Sequence, residues 1–143
     1  MNAKDLRVDA PRRWSERIAG VCWLPRLIDK TRAALAGTLG TYLYGQRPID
    51  RGLLHALGVS HDEFAAIVLR AVVTALDSRD GASLSRARAW SDRLVRRQRA
   101  ILWLLDVDDG YCASRLRAPI AFGADAVAGA MKRIWPWHAA GRR

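Results

Sequence analysis

The sequence predicts an all-α fold, a single-domain helical bundle of five to six helices with irregular Gly- and Pro-containing connections. Apolar residues recur at three- and four-residue spacing in several separate stretches, and proline and glycine punctuate those stretches where helices start and stop. A length of 143 residues with 50% hydrophobic content suits one buried core better than two. That content excludes a wholly disordered chain, and two cysteines are too few for a disulfide-built scaffold or a cysteine-based zinc site.

Residues 1–13 read as an N-terminal arm. They mix acids and bases before Pro11 and lack the continuous apolar segment of a secretory signal, so a reduced, cytoplasmic protein is expected. A short helical turn is expected over residues 14–19. Pro25 then opens a helix, because a proline in the first turn sacrifices little hydrogen bonding. Leu24, Leu27, Ile28 and Leu35 supply its apolar face, with Arg26, Asp29 and Lys30 toward the polar side. Gly37, Gly40, Gly45 and Pro48 make the stretch around Tyr42 and Tyr44 an irregular connection.

Asp50 is placed to cap a short helix through Leu53, Leu54 and Leu57, which Gly58 ends. Ser60 and Glu63 form a capping-box pattern ahead of Phe64, Ile67, Val68, Ala71, Val72 and Ala75, a helical stripe. Residues 77–83 read as a loop, with Ser83 capping a long helix that reaches toward Leu105. Leu84, Ala87, Trp90, Leu94, Ile101 and Leu105 line its buried side, and Arg86, Arg93, Arg96, Arg97 and Arg99 its exposed side. The helical core thus covers residues 14–110, leaving 111–143 as a C-terminal extension expected to dock on it. The apolar stretch 118–131 is shorter than the roughly 20 residues a membrane span needs and contains Pro119, Gly123, Asp125 and Gly129. No membrane span is expected. Ala121, Ala124, Ala128 and Met131 permit a short helix there, and Trp135 and Trp137 would serve as anchors for docking or for a partner.

Lys and Arg number 24 against 14 Asp and Glu, a formal charge of +10. The excess is spread over both halves, and only Lys4, Lys30 and Lys132 are lysines. Arginine, with its planar fork, suits bidentate recognition of carboxylates or phosphates, so anionic partners enter the argument.

The run Leu24-Pro25-Arg26-Leu27-Ile28-Asp29-Lys30, followed by Leu35-Ala36-Gly37-Thr38-Leu39-Gly40-Thr41-Tyr42, resembles a small bacterial family known as domain-of-unknown-function family 5069. Pro48-Ile49-Asp50, Leu57-Gly58, Asp62-Glu63-Phe64 and the LLDVDDG run at residues 104–110 extend the resemblance, which covers residues 11–110. It implies a predominantly helical domain and brings no established activity.

Arg26, Asp29, Lys30 and Tyr42 are the first candidates for a binding site. Arg26 and Lys30 share a helical side at i,i+4 and suit an anionic ligand, while Asp29 can hold a basic side chain or accept a proton. A surface salt-bridge network is the plainer alternative. His55 and His61 flank a turn without forming a metal-ligand motif, and each also suits a helix-end hydrogen bond. Asp106 and Asp109 face one side of a helix exit, but LLDVDDG lacks the ordered ligands and distal Glu of a calcium loop. Cys22 and Cys112 lack redox spacing and read as buried thiols. No dinucleotide or Walker loop occurs, and no cofactor or metal is expected.

The preferred reading is a small helical ligand-binding or accessory protein with a polar groove formed by Arg26, Asp29, Lys30, Tyr42, His55, Asp106 and Asp109. Its partner would be an anionic small molecule, a protein or a second copy of the chain. Three alternatives stand beside it. The arginines from Arg86 to Arg99 would bind nucleic acid or another polyanion, Asp29 or His55 would perform acid/base catalysis of an undefined reaction, or the Trp-Pro-Trp segment would be an interaction module.

Overall fold

The computed structural model describes residues 3–70 and 81–111. Among them the protein is mostly helical, as its periodicity predicts: α1 spans Leu24–Leu35, α2 Pro48–Leu57, α3 His61–Arg70, α4 Gly81–Arg97 and α5 Arg99–Asp108. A two-stranded antiparallel ribbon precedes them, β1 at Arg17–Ile18 and β2 at Val21–Cys22. The chain divides into a unit of Met1–Leu102 and another of Trp103–Arg143. None of the described helices is long and apolar enough to cross a membrane.

The ribbon replaces the helical turn expected over residues 14–19. Ala19 and Gly20 both take positive φ, 50° and 78°, the geometry that matches strand twist in a two-residue hairpin loop. Arg17 Nη1 donates to the Gly20 carbonyl at 2.7 Å and Arg88 Nε to that of Ala19 at 2.7 Å. Side chains thus satisfy both turn carbonyls.

Pro25 stands in the first turn of α1 and Pro48 in that of α2, where their missing N–H groups cost little. Gly58 ends α2 in the left-handed region, its N–H bonded to His55 O and that of Val59 to Leu54 O. The capping box also holds: Glu63 N donates to Ser60 Oγ at 3.2 Å and Ser60 N to Glu63 Oε2 at 2.8 Å.

Other details differ from the sequence reading. Asp50 does not cap α2; the N-cap is Arg47, without a side-chain cap bond, and Asp50 points into the interior. Ser83 lies inside α4, which already includes Gly81, and residues 77–80 of the expected loop lie outside the described residues. The long helix toward Leu105 is interrupted at Gln98. Leu35 and Ile101, expected on apolar faces, are exposed. The continuation of α3 through Ala71, Val72 and Ala75 lies outside the described residues. So do Cys112 and the whole of 112–143, including the helix around Ala121 and the segment of Trp135 and Trp137.

Within the first unit α1 packs against α3 and β1, α2 against α4, and β2 against α4. Leu24, Leu27, Leu53, Leu57, Phe64, Leu84, Ala87 and Leu94 are buried in it. Every residue from Val21 to Thr31 is buried, charged ones included, so α1 lies inside the unit rather than on its surface.

Candidate functional site

The polar residues of α1 therefore need partners inside the protein, since a buried charge is costly unless paired. Trp23 starts the arrangement. It forms the N-cap of α1 with φ 68°, a left-handed conformation that for a bulky residue costs on the order of 1–3 kcal/mol. In this strained position its indole Nε1 donates to Asp50 Oδ1 at 2.8 Å.

Lys30, two turns along α1 and 2% exposed, reaches the same carboxylate. Its Nζ lies 2.7 Å from Asp50 Oδ1 and 2.5 Å from Oδ2, and it also donates to the Leu43 carbonyl at 3.1 Å. Gly45 N donates to Asp50 Oδ2 at 3.1 Å. Gly45 has φ 72°, and a Cβ there would overlap the ring of His61, so only glycine lets the loop approach this closely. Burial pulls the Lys30 ammonium below the ordinary lysine range; Asp50 opposes that pull, and the Arg26 and Arg47 charges add to it.

Asp29 faces another way. Arg12 Nε and Nη2 reach its two oxygens at 2.9 and 2.7 Å, and the Arg12 main-chain N–H donates to Oδ2 at 2.8 Å. Arg12 Nη2 also donates to Pro25 O at 3.1 Å. The carboxylate raises the already high pKa of Arg12, opposed by partial burial. The N-terminal arm is thereby fastened to α1, an attachment repeated where Leu6 N donates to Thr38 O at 2.9 Å.

Arg26, 4% exposed, lies between these two pairs. Its guanidinium carbon is 5.3 Å from the centroid of the Trp23 ring and 5.8 Å from that of the half-buried Tyr42, within cation–π range of both. Nη1 also approaches the Arg12 carbonyl at 3.4 Å. Lys30 Nζ lies 5.6 Å from the Trp23 centroid, so this one indole meets two cations and a carboxylate.

Of the expected site, Arg26, Asp29, Lys30 and Tyr42 are thus gathered around one end of α1. The surface salt-bridge alternative is corrected: Arg26, Asp29 and Lys30 are interior, with Asp29 paired to Arg12 and Lys30 to Asp50. His55 is exposed on α2, and His61 stacks on Tyr44 with ring centroids 4.0 Å apart. Asp106, buried, and Asp109, half-buried, lie on and just past α5, where Tyr111 N donates to the Asp106 carbonyl at 2.8 Å. Arg93, Arg96, Arg97 and Arg99 are exposed as expected. Arg86 is exposed as well, and it also bonds to Ser83 Oγ at 3.0 Å and is directed toward Ala56 O at 3.4 Å.

Sequence reasoning missed Arg12, Trp23 and Asp50 as members of the cluster. Asp50 carried a signal, an acid near a helix start, but the capping rule supplied the wrong reason for it. Trp23 borders the LPRLIDK run directly; nothing in the sequence ties Arg12 to Asp29.

A family model described as a domain of unknown function (DUF5069) matches residues 8–75. That stretch matches this family, in line with the LPRLIDK and AGTLGTY segments, and the match ends before the LLDVDDG run. No curated protein matches the chain.

Proposed function

We propose that this protein is a small noncatalytic ligand-binding or accessory module that receives an anionic group at the Arg26 end of α1. The observation that carries the reading is the preorganised guanidinium of Arg26, held between the Trp23 and Tyr42 rings at a half-buried aromatic edge. A cation fixed in advance loses little entropy on binding, and arginine offers a planar fork to a carboxylate or phosphate. The left-handed backbone at Trp23 supports the same reading, because such strain collects at ligand clamps and active sites.

Binding is favoured over acid/base chemistry by the state of the carboxylates. Both oxygens of Asp29 are engaged by Arg12, and both of Asp50 by Lys30, with Trp23 and Gly45 bonded as well. A catalytic base needs a free path to a substrate proton. His55, the other candidate base, is exposed on α2 and is not among the partners of these carboxylates. The proposal rests on the LPRLIDK half of the expected groove.

Thermal shift in low salt against a panel of carboxylates, inorganic phosphate and neutral analogues tests it. A ligand at 100 times its Kd adds about 2.7 kcal/mol to stability, which moves the transition by several degrees. The expected result is stabilisation by one class of anion that Arg26→Gln abolishes. Equal shifts in wild type and variant would overturn the assignment of Arg26.

A further inference from the structure

We infer that Arg93, Arg96 and Arg97 at the end of α4, with Arg99 at the start of α5, form a second binding surface, one that fits the phosphodiester backbone of a nucleic acid. All four are exposed, and among the described residues none makes a hydrogen bond or ion pair. The arginines around them differ. Arg86 bonds to Ser83, Arg88 to the Ala19 carbonyl, and Asp92, the nearest acid on the helix, faces Arg17 at 3.4 Å. Among the described residues, nothing takes up the side-chain donors of these four arginines, which lie within seven positions.

Helix geometry places Arg93 and Arg97 one turn apart, a rise of about 6 Å, with Arg96 beside them. A favourable interaction with the helix dipole accounts for Arg96 and Arg97 in the last turn of α4. It does not account for Arg93, or for Arg99, which opens a helix with no acidic residue in its first turn. An external anion would balance all four, and a duplex presents one charge per ~1.7 Å of its axis, dense enough to engage several cations at once.

The surroundings favour a nucleic acid over a membrane or an acidic protein. Leu84, Ala87 and Leu94 of α4 are buried and α4 exposes no large hydrophobic residue, so the exposed large apolar side chains closest in sequence to the patch are Ile101 and Trp103, which follow Arg99 on α5. Membrane-surface helices pair their cations with an apolar face, and protein interfaces centre on buried aromatic or aliphatic anchors. The α4 part of this surface, with three of the four arginines, offers guanidinium groups and no apolar anchor, which suits phosphate contacts that carry no base sequence information.

Fluorescence anisotropy of the full chain with a labelled 20-nucleotide duplex across a salt series tests the inference, with sodium polyglutamate and phosphatidylserine vesicles as the other anions. Neutralising four phosphates gives a slope of log K against log salt of about −3.6. The quadruple variant Arg93→Gln, Arg96→Gln, Arg97→Gln, Arg99→Gln is expected to weaken duplex binding at least tenfold and to flatten that slope by three or more. Because the four side chains are exposed, its circular dichroism and Tm should match wild type. A charge-matched control, Lys4→Gln, Arg7→Gln, Arg32→Gln, Arg70→Gln, should lose far less. Equal loss in the two variants, or tighter binding to polyglutamate or vesicles than to duplex, would overturn it. Both outcomes are independent of Arg26.

Discussion

Lys30 and Asp50, twenty positions apart in the sequence, form an ion pair in the interior of the first unit, with side chains 3% and 0% exposed. The pair ties α1 to the first turn of α2. Removing one partner of a buried pair leaves an uncompensated charge, so Lys30→Met should cost about 3–5 kcal/mol. Adding Asp50→Asn removes that charge yet keeps an acceptor for Trp23 Nε1, and the double variant should recover much of the loss. Urea unfolding of the four members of the cycle gives the coupling; strictly additive losses would show that the two charges do not depend on each other.

The clamp between Arg12 and Asp29 is partly open to solvent, with Arg12 32% exposed. Arg12→Gln is accordingly expected to cost less, about 1–2 kcal/mol, with the loss concentrated at the arm. Hydrogen exchange at the Leu6 amide, which bonds to Thr38 O, should accelerate more than exchange within α4. Uniform acceleration across the unit would contradict a local role.

A close approach of α2 to α4 depends on Gly52. A Cβ there would lie 2.8 Å from Trp90 Nε1 and 3.3 Å from two ring carbons, and the rigid indole has little room to yield. Helix propensity alone would make Gly52→Ala stabilising by about 1 kcal/mol. Overpacking should reverse the sign, to a net loss of about 1–2 kcal/mol in chemical denaturation.

Cys22 is buried against α4, its Sγ 3.7 Å from the Ser91 carbonyl, and burial raises its thiol above the ordinary value of 9.0. The folded state therefore holds this proton at pH values where the unfolded chain releases it. The stability linked to the group is complete below 9 and falls as pH rises through the folded value. In a Cys112→Ser background, native protein at pH 8 should react with iodoacetamide far more slowly than urea-unfolded protein. Rapid native labelling would show that the thiol is accessible.

Local signals in the sequence are the ones the structure reproduces. Pro25 in the first turn of α1, the Ser60 and Glu63 box and the left-handed Gly58 each act through bonds a few residues long. The charges of α1 were misread because their compensation is distant: Asp29 meets Arg12 seventeen positions away, and Lys30 meets Asp50 after twenty. Helical periodicity treats Arg26, Asp29 and Lys30 as a solvated face, and nothing within one turn reports that a neighbouring segment covers it. The ribbon at 17–22 was missed for a related reason. Its turn uses Ala19 at positive φ, where Asn or Gly is the usual signal, and Arg88 from α4 satisfies the turn carbonyl.

The role given to Arg26 is tested most directly by its own guanidinium resonance. In a side-chain proton–nitrogen spectrum, the Arg26 Nε–H signal, identified by its loss in Arg26→Lys, can be followed during titration with inorganic phosphate and with acetate at low salt. A preorganised receptor predicts a distinct, slowly exchanging signal that shifts saturably with one of these anions, while the Nε–H signals of Arg93, Arg96 and Arg97 do not follow the same curve. An Arg26 signal that stays in place throughout both titrations would contradict the account.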